Sequence, residues 1–203
     1  MSVFVAEELS EVLNTKVVIG RINMGLLNRI IIDDVLLDDQ SGQEMLKVTR
    51  LSAKFDIMPF FKGKISISSV QLFGFNINLR KETPDSPPNF KFVLDAFASK
   101  DTVKKENSLD LRINSILIRR GRMSYHVLSE EETPGKFNAK HIQLQNIIAN
   151  ISLKALSKDS LNLGIKRLSL DEKASGFSLK KMSLKLVANN KQTNIDNFTI
   201  ELP

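Results

Sequence analysis

With 203 residues, 42% of them apolar, the chain can bury a substantial core, and this composition excludes disorder along its whole length. Cysteine is absent, which excludes disulfides, thiolate metal sites and cysteine nucleophiles. The formal net charge of +6 could suit nucleic acid or an anionic membrane, but the basic residues are spread along the polar positions of predicted strands, so no nucleic-acid partner is expected.

A short amphipathic helix is predicted first, over residues 3–14, and Asn14 is a plausible stop. From there to the end, apolar residues recur at every second position, which is typical of strands with one buried face. Ten strands are predicted, over residues 17–24, 30–37, 46–55, 65–79, 109–118, 123–128, 142–153, 161–170, 177–187 and 195–202. Short strands at this spacing favour an all-β, mainly antiparallel and meandering fold.

Residues 81–108 interrupt this pattern and contain three of the six prolines. Within them, a second short amphipathic helix is predicted over residues 89–98, which would lie on the sheet. The chain is therefore divided into a helix and first β segment (1–80), this Pro-rich insertion (81–108) and a second β segment (109–203) that continues the same sheet.

Several predicted strands change the parity of their alternation part-way along. The pattern apolar-x-x-apolar-x-apolar starts at Ile19, Ile67, Ile148, Ile165, Leu179 and Ile195, and looser forms start at Ile32, Val48, Ile113 and Ala139. One added residue makes a β-bulge, which keeps the flanking side chains on one face while the strand twists and bends. The sequence therefore predicts an elongated, curled sheet whose apolar face forms a hydrophobic groove.

An apolar sheet face is covered by a second sheet, by barrel closure, by helices or by an apolar ligand. Two short helices are too few for ten strands. The predicted lining of an open groove is Ile65, Ile67, Val70, Leu72, Phe73, Phe75, Ile77, Leu79, Leu111, Ile113, Leu168, Leu170, Leu184 and Leu186. Ordinary core packing against another layer of the protein is the alternative for the same residues.

No catalytic constellation is present in the sequence. His126 and His141 are the only histidines; His141 occupies a polar strand position and is predicted to be solvated, and neither lies in a motif for nucleophilic or general acid–base catalysis. The Asp33–Asp34 and Asp38–Asp39 pairs lack the spacing of a calcium loop and are interpreted as turn residues. The chain is predicted not to be an enzyme, and no metal or cofactor is assigned.

Part of the chain resembles a known family. The matching segments are TKVVIGRI (15–22), GLLNRIIIDDVLLDDQSGQEML (25–46), LSAKFDIMPFFKGKISISSVQL (51–72) and PPNFKFVLDAF (87–97). They resemble the N-terminal region of TamB-type translocation and assembly module proteins, in the wider AsmA-like group. The resemblance covers residues 10–100, and beyond them only the strand pattern is similar.

This resemblance implies a non-enzymatic periplasmic module in outer-membrane biogenesis, whose hydrophobic groove carries phospholipid acyl chains between the inner and outer membranes. It also implies an inner-membrane anchor before the chain and, after it, a region that engages an outer-membrane barrel assembly protein. Neither has a counterpart in these 203 residues, so an excised N-terminal piece is expected. The alternatives are a periplasmic scaffold that pairs with client barrel strands by β-augmentation, and a closed β-sandwich adaptor.

Overall fold

The computed structural model describes residues 2–26, 28–55, 65–98, 109–110, 114–156 and 160–203. Its helices are α1 (Ser2–Leu13) and α2 (Lys91–Ala98). Its strands are β1 (Val17–Gly25), β2 (Arg29–Asp38), β3 (Glu44–Phe55), β4 (Ile65–Lys81), β5 (Leu109–Asp110), β6 (Ser115–Val127), β7 (His141–Leu156), β8 (Ser160–Glu172), β9 (Ser178–Asn189) and β10 (Thr193–Glu201). As expected, α1 stops before Asn14, which adopts the left-handed conformation common at helix ends.

The strands form one sheet in the order β1-β2-β3-β4-β6-β7-β8-β9-β10, with β5 paired to the start of β4. Every neighbouring pair along this path is antiparallel except β4 and β6. Within the described residues the backbone of each strand approaches only the backbones of its neighbours in the sheet, so β1 and β10 do not meet and no second sheet is present. The prediction of an open, curled, mainly antiparallel sheet with two short helices is confirmed.

The middle of the chain departs from the predicted meander. β4 and β6 are parallel, and the predicted strands 109–118 and 123–128 are instead the two-residue β5 and the continuous β6. Parallel pairing requires the chain to return along the whole strand length, and the insertion that carries α2 makes this crossover. The segment RRGR (119–122), which lay between these two predicted strands, does not interrupt β6. Arg120, at φ 55°, is accommodated as a bulge within the strand.

Many of the parity changes are bulges, as predicted. Register shifts accompany those that start at Ile67, Ile165, Leu179 and Ile195. The change predicted at Ile148 lies earlier in β7, next to Asn146 at φ 54°. In the first four strands the extra residues lie side by side, at Gly20, Asp34, Thr49 and Gly74. This alignment makes a line across the first four strands, called the crease below, at which the alternation of side chains changes parity.

Both helices cover the apolar face over β1–β3, at one end of the sheet. Ala6 of α1 is buried in a cluster with Val17 and Ile19, and side chains of α2 and of the residue before it, Phe90, pack against the same cluster. This end, which also holds the turn after β2 and the end of β4, is called the helical end below. Neither described helix has the length and apolarity that crossing a bilayer requires.

Candidate functional site

The register aligns apolar side chains into two rows that cross the sheet. The long row runs through all nine strands of the path and consists of Ile22, Ile32, Leu51, Leu72, Ile118, Ala149, Leu168, Met182 and Ile200. The second row, farther from the helical end, consists of Met24, Ile30, Ala53, Val70, Ile116, Ile151, Ile165 and Leu184. The positions between the rows point to the other face and include Asn23, Ser52, Gln71 and Asn150. One face of the sheet is therefore apolar from edge to edge.

Most of the predicted lining residues with described side chains lie on this face. They are Val70, Leu72, Phe75, Ile77, Leu79, Leu168, Leu170, Leu184 and Leu186. Ile65 and Ile67 lie in β4, but the structure does not describe their side chains, and Leu111 and Ile113 lie outside the described residues. The prediction for these four residues is therefore not tested.

Phe73 does not line the groove, contrary to the prediction. Its side chain lies on the opposite face, is 39% exposed, and has the Arg120 guanidinium carbon 5.2 Å from the centre of its ring. The cause is Gly74, which adopts φ 63° as the extra residue of the crease, so that Leu72 and Phe75 share a face and Phe73 does not. The run of alternating apolar residues suggested one continuous row, but the bulge divides it.

Phe75 fills part of the groove with protein. Its ring is 7% exposed and lies over Gly121 of β6, where an added Cβ would be 2.4 Å from the ring carbon Cζ. Across that glycine it belongs to one buried cluster with Val48 and Ile147. The absence of a side chain at Gly121 thus allows β4 and β7 to pack against each other across β6, and this closes the groove floor locally.

The long row is less buried than this cluster, although its members in β3, β4 and β6 (Leu51, Leu72 and Ile118) pack against it. The residues of the long row are half-buried from β1 to β9, except the buried Ala149. In β10, the last strand of the sheet, Ile195, Phe198 and Ile200 are all more than half exposed. The structure therefore combines a protein-filled floor near Phe75 with apolar side chains that are half-buried across most of the sheet and exposed at its edges, in β10 and at Met24 of β1.

A buried carboxylate organises the helical end. Asp39 is 2% exposed and accepts hydrogen bonds from the backbone nitrogens of Ser41 and Gln43, and it pairs with Arg80 at 2.5 Å and with the Asn89 amide at 3.1 Å. Burial alone would raise the pKa of Asp39, but the hydrogen bonds together lower it. Asp39 thus joins the β2–β3 turn to the end of β4 and to the segment that leads into α2. The expected turn role is confirmed for this residue.

Asp33 has a different role from the one predicted. It lies within β2, on the face opposite the apolar rows, and its carboxylate receives hydrogen bonds from Arg50 Nε at 2.6 Å and from a terminal guanidinium nitrogen at 3.2 Å. These bonds lower the pKa of Asp33. The pair borders a depression of about 670 Å³ that Arg21 and Arg119 also line. These charged side chains, next to the crease, therefore lie on the face of the sheet opposite the groove.

Glu172 plays a similar part at the β8–β9 turn. Its buried carboxylate accepts hydrogen bonds from the backbone nitrogens of Gln143, Ala174 and Ser175, at 3.2, 3.1 and 2.7 Å. Burial opposes ionisation, but these bonds and the Ser175 hydroxyl lower the pKa of Glu172 to about 2. The ionised side chain holds β7, β8 and the turn together.

Replacing this residue, Glu172→Gln, is expected to lower the free energy of unfolding at neutral pH by about 1–3 kcal/mol, because a charged acceptor of several buried hydrogen bonds is lost. The pKa is depressed in the folded state, so the ionised group stabilises the protein above the ordinary value of 4.5, and this contribution is lost as the pH falls from 4.5 to about 2. Urea unfolding across this range should show the two proteins converging. Glu82→Gln, at an exposed site, is the control, and a constant difference at every pH would contradict the assignment.

The prediction that His141 is solvated is wrong. His141 is 7% exposed rather than solvated, and its Nδ1 lies 3.1 Å from Nδ1 of His126. They are directly opposed in the β6–β7 register. No pattern in the sequence indicates this contact, because residues 128–140 separate the strands and the register decides which side chains face each other.

Comparison with models of known protein families finds no match, and a search of curated proteins likewise finds none. These comparisons assign the chain to no family. The resemblance to TamB-type proteins stays a prediction that rests on the quoted segments.

Proposed function

We propose that this chain is a non-enzymatic module that binds phospholipid acyl chains along the apolar face of its sheet. In the setting that the TamB resemblance implies, it lies in the periplasm, belongs to a longer protein anchored in the inner membrane, and carries phospholipid toward the outer membrane. The headgroups would remain in water at the open side of the groove while the acyl chains cover the two apolar rows.

The observation that carries this proposal is the long row, which is apolar in all nine strands while no second layer covers it within the described residues beyond the helical end. An apolar face of this extent is unusual for a protein that meets only water. A ligand with alkyl chains is suited to it because apolar contact needs no fixed direction, and it would slide from strand to strand past equivalent side chains.

The energy available is sufficient for lipid binding. Each buried methylene contributes about 0.8 kcal/mol, so ten methylenes contribute roughly 8 kcal/mol before the cost of ordering the chain. The half-buried state of the rows matters here, because a ligand gains only from the surface that is still exposed. The accessible apolar side chains toward β10 are thus the strongest candidates for contact with lipid.

A second candidate function is supported by β10 itself. This strand is exposed along its length and has no partner on its outer side within the described part of the chain. Such an edge can pair with an extended segment of another protein, which is the chemistry of a scaffold for unfolded barrel strands. We favour lipid because the apolar rows extend over the whole sheet, whereas edge pairing would use only its border.

The decisive experiment places a photo-cross-linker at two adjacent positions of β9. Leu186 pairs with Leu163 on the apolar face, whereas Val187 pairs with Asn162 on the other face. The amino acid p-benzoylphenylalanine would replace each residue separately. The folded proteins would then be irradiated with vesicles of phosphatidylethanolamine and phosphatidylglycerol and examined by mass spectrometry.

We expect a phospholipid adduct at position 186 and little or none at position 187. Equal adducts at both positions would indicate non-specific contact and would contradict the proposal. A folded protein that gives no lipid adduct at position 186 would also contradict the proposal. In a parallel experiment the cross-linker would be placed in β10 and barrel-derived peptides would replace the vesicles. Peptide adducts there, without lipid at 186, would instead support the scaffold.

A further inference from the structure

We propose that His126, His141 and Glu132 form a binding site for a zinc ion. The site lies at the helical end of the β6–β7 pair, apart from the apolar rows. His126 is the penultimate residue of β6, His141 is the first of β7, and Glu132 lies in the connection between them. One nitrogen of each histidine and one oxygen of the carboxylate lie within 4.8 Å of one another.

The hydrogen bonds around His141 indicate the tautomer of its neutral ring. Its Nε2 lies 2.9 Å from the carbonyl oxygen of Glu130, and a carbonyl can only accept a hydrogen bond. Nε2 therefore carries the proton, and in the neutral ring Nδ1 presents a lone pair toward His126. Metal-binding histidines commonly donate their second ring N–H to a carbonyl in this way, which orients the ring and raises the basicity of the ligating nitrogen.

The separation of the two Nδ1 atoms suits a shared ion. Zn–N bonds of about 2.0–2.1 Å at a tetrahedral angle place two nitrogens about 3.3–3.4 Å apart, and the observed distance is 3.1 Å. The two rings are tilted by 54° to each other, with their centres 5.3 Å apart. A simple hydrogen bond between the two rings would require His126 to supply the proton, and this is the competing explanation for the same distance.

Glu132 supplies the third ligand. Its Oε1 lies 3.8 Å from Nδ1 of His126 and 4.0 Å from Nδ1 of His141. This side chain is 63% exposed, so little of the protein restricts its movement toward an ion. Two imidazoles and one carboxylate are a ligand set that zinc accepts, and the fourth position would be taken by water.

The surrounding charges leave Glu132 available. Glu130 is already paired with Lys140 at 2.6 Å. Lys173 lines the adjacent depression of about 200 Å³, together with Glu132 and His141, but it is exposed. His141 is largely buried and His126 half-buried, so two of the three ligands are held rigidly by the sheet. A bound ion would fasten the 128–140 connection to the strands on either side.

The test is a zinc titration of the untagged 203-residue chain after metal removal, in competition with a fluorescent zinc indicator. We expect one zinc ion per chain with a dissociation constant on the order of micromolar or tighter at neutral pH. His126→Ala and Glu132→Gln each remove a ligand and should weaken binding by more than about 10-fold, since even changes to the partners that orient a ligand cost about 10–100-fold. The matched control Glu131→Gln changes the neighbouring exposed carboxylate and should leave binding unchanged.

His126 is the variant of choice because it is less buried than His141, and circular dichroism would check that it folds. Thermal unfolding gives a second readout: zinc should raise the midpoint of the unmodified chain and of Glu131→Gln, but not of His126→Ala. No binding at one equivalent of zinc, or equal binding by the unmodified chain and His126→Ala, would overturn the proposal and leave the pair as a hydrogen bond.

Discussion

Phe75→Ala is expected to lower the free energy of unfolding by about 3–5 kcal/mol, the largest effect of any groove residue. The ring is 7% exposed, and it fills the space above Gly121, where it belongs to the same buried cluster as Val48 and Ile147. Removing it leaves a cavity between β4 and β7 that the rigid sheet cannot close. Urea unfolding followed by circular dichroism measures the loss.

Two further variants test the cause of this effect. Phe73→Ala removes a ring of the same size from the opposite face, where it is 39% exposed, and should cost much less. Gly121→Ala adds a Cβ that meets the Phe75 ring from below and should cost about 1–3 kcal/mol through overpacking. Equal losses for Phe75→Ala and Phe73→Ala would contradict the assignment of the two rings to different faces.

Asp39→Ala is expected to destabilise the protein by about 3–5 kcal/mol, because it leaves the partly buried Arg80 without its carboxylate partner. The Asn89 amide and the backbone of the β2–β3 turn lose an acceptor at the same time. These groups position the segment that leads into α2. We therefore expect the helical end to loosen first, and hydrogen exchange of α2 to speed up more than that of β8 and β9.

The control for this variant is Asp95→Ala. Asp95 also pairs with a cation, Lys91, but both side chains are more than half exposed and the pair lies on the surface of α2. Exposed pairs contribute roughly 0–1 kcal/mol, so this change should be nearly neutral. A similar loss for both variants would mean that the buried network around Asp39 has no special role.

The curl of the sheet could be predicted because it is encoded locally. Two polar residues between apolar ones, as in Ile165–Leu168 and Leu179–Met182, require an extra residue if both flanking side chains are to share a face. Where a glycine or another residue that tolerates positive φ forms the bulge, as at Gly74, pairing with the neighbouring strand decides which residue is the extra one. Phe73 alone of its predicted row was therefore placed on the wrong face.

The non-local features could not be predicted from one sequence. The parallel pairing of β4 with β6 depends on where the chain goes after the insertion, and alternation is the same in parallel and antiparallel strands that have one apolar face. The contact of Phe75 with the position of Gly121, 46 residues later, follows from that pairing. The meeting of His126 and His141 likewise depends on register across a connection without regular structure.

Stability of the sheet and binding of lipid make opposite demands on the apolar face. The cluster around Phe75 stabilises the curl by burying apolar surface within the protein, while the proposed function needs apolar surface that remains accessible. The structure separates the two along the sheet, since the buried cluster includes residues of β3, β4 and β7, whereas the side chains of β10 are exposed. Lipid contact is therefore expected to be strongest toward β10 and weakest beside Phe75.

Native mass spectrometry of the folded chain, after purification from cells without detergent or after incubation with phospholipid vesicles, tests directly whether the apolar face binds acyl chains. We expect a population whose added mass equals that of a diacyl phospholipid and which loses the lipid on collisional activation. A folded chain that carries no lipid under either condition would contradict the claim that this apolar face binds acyl chains.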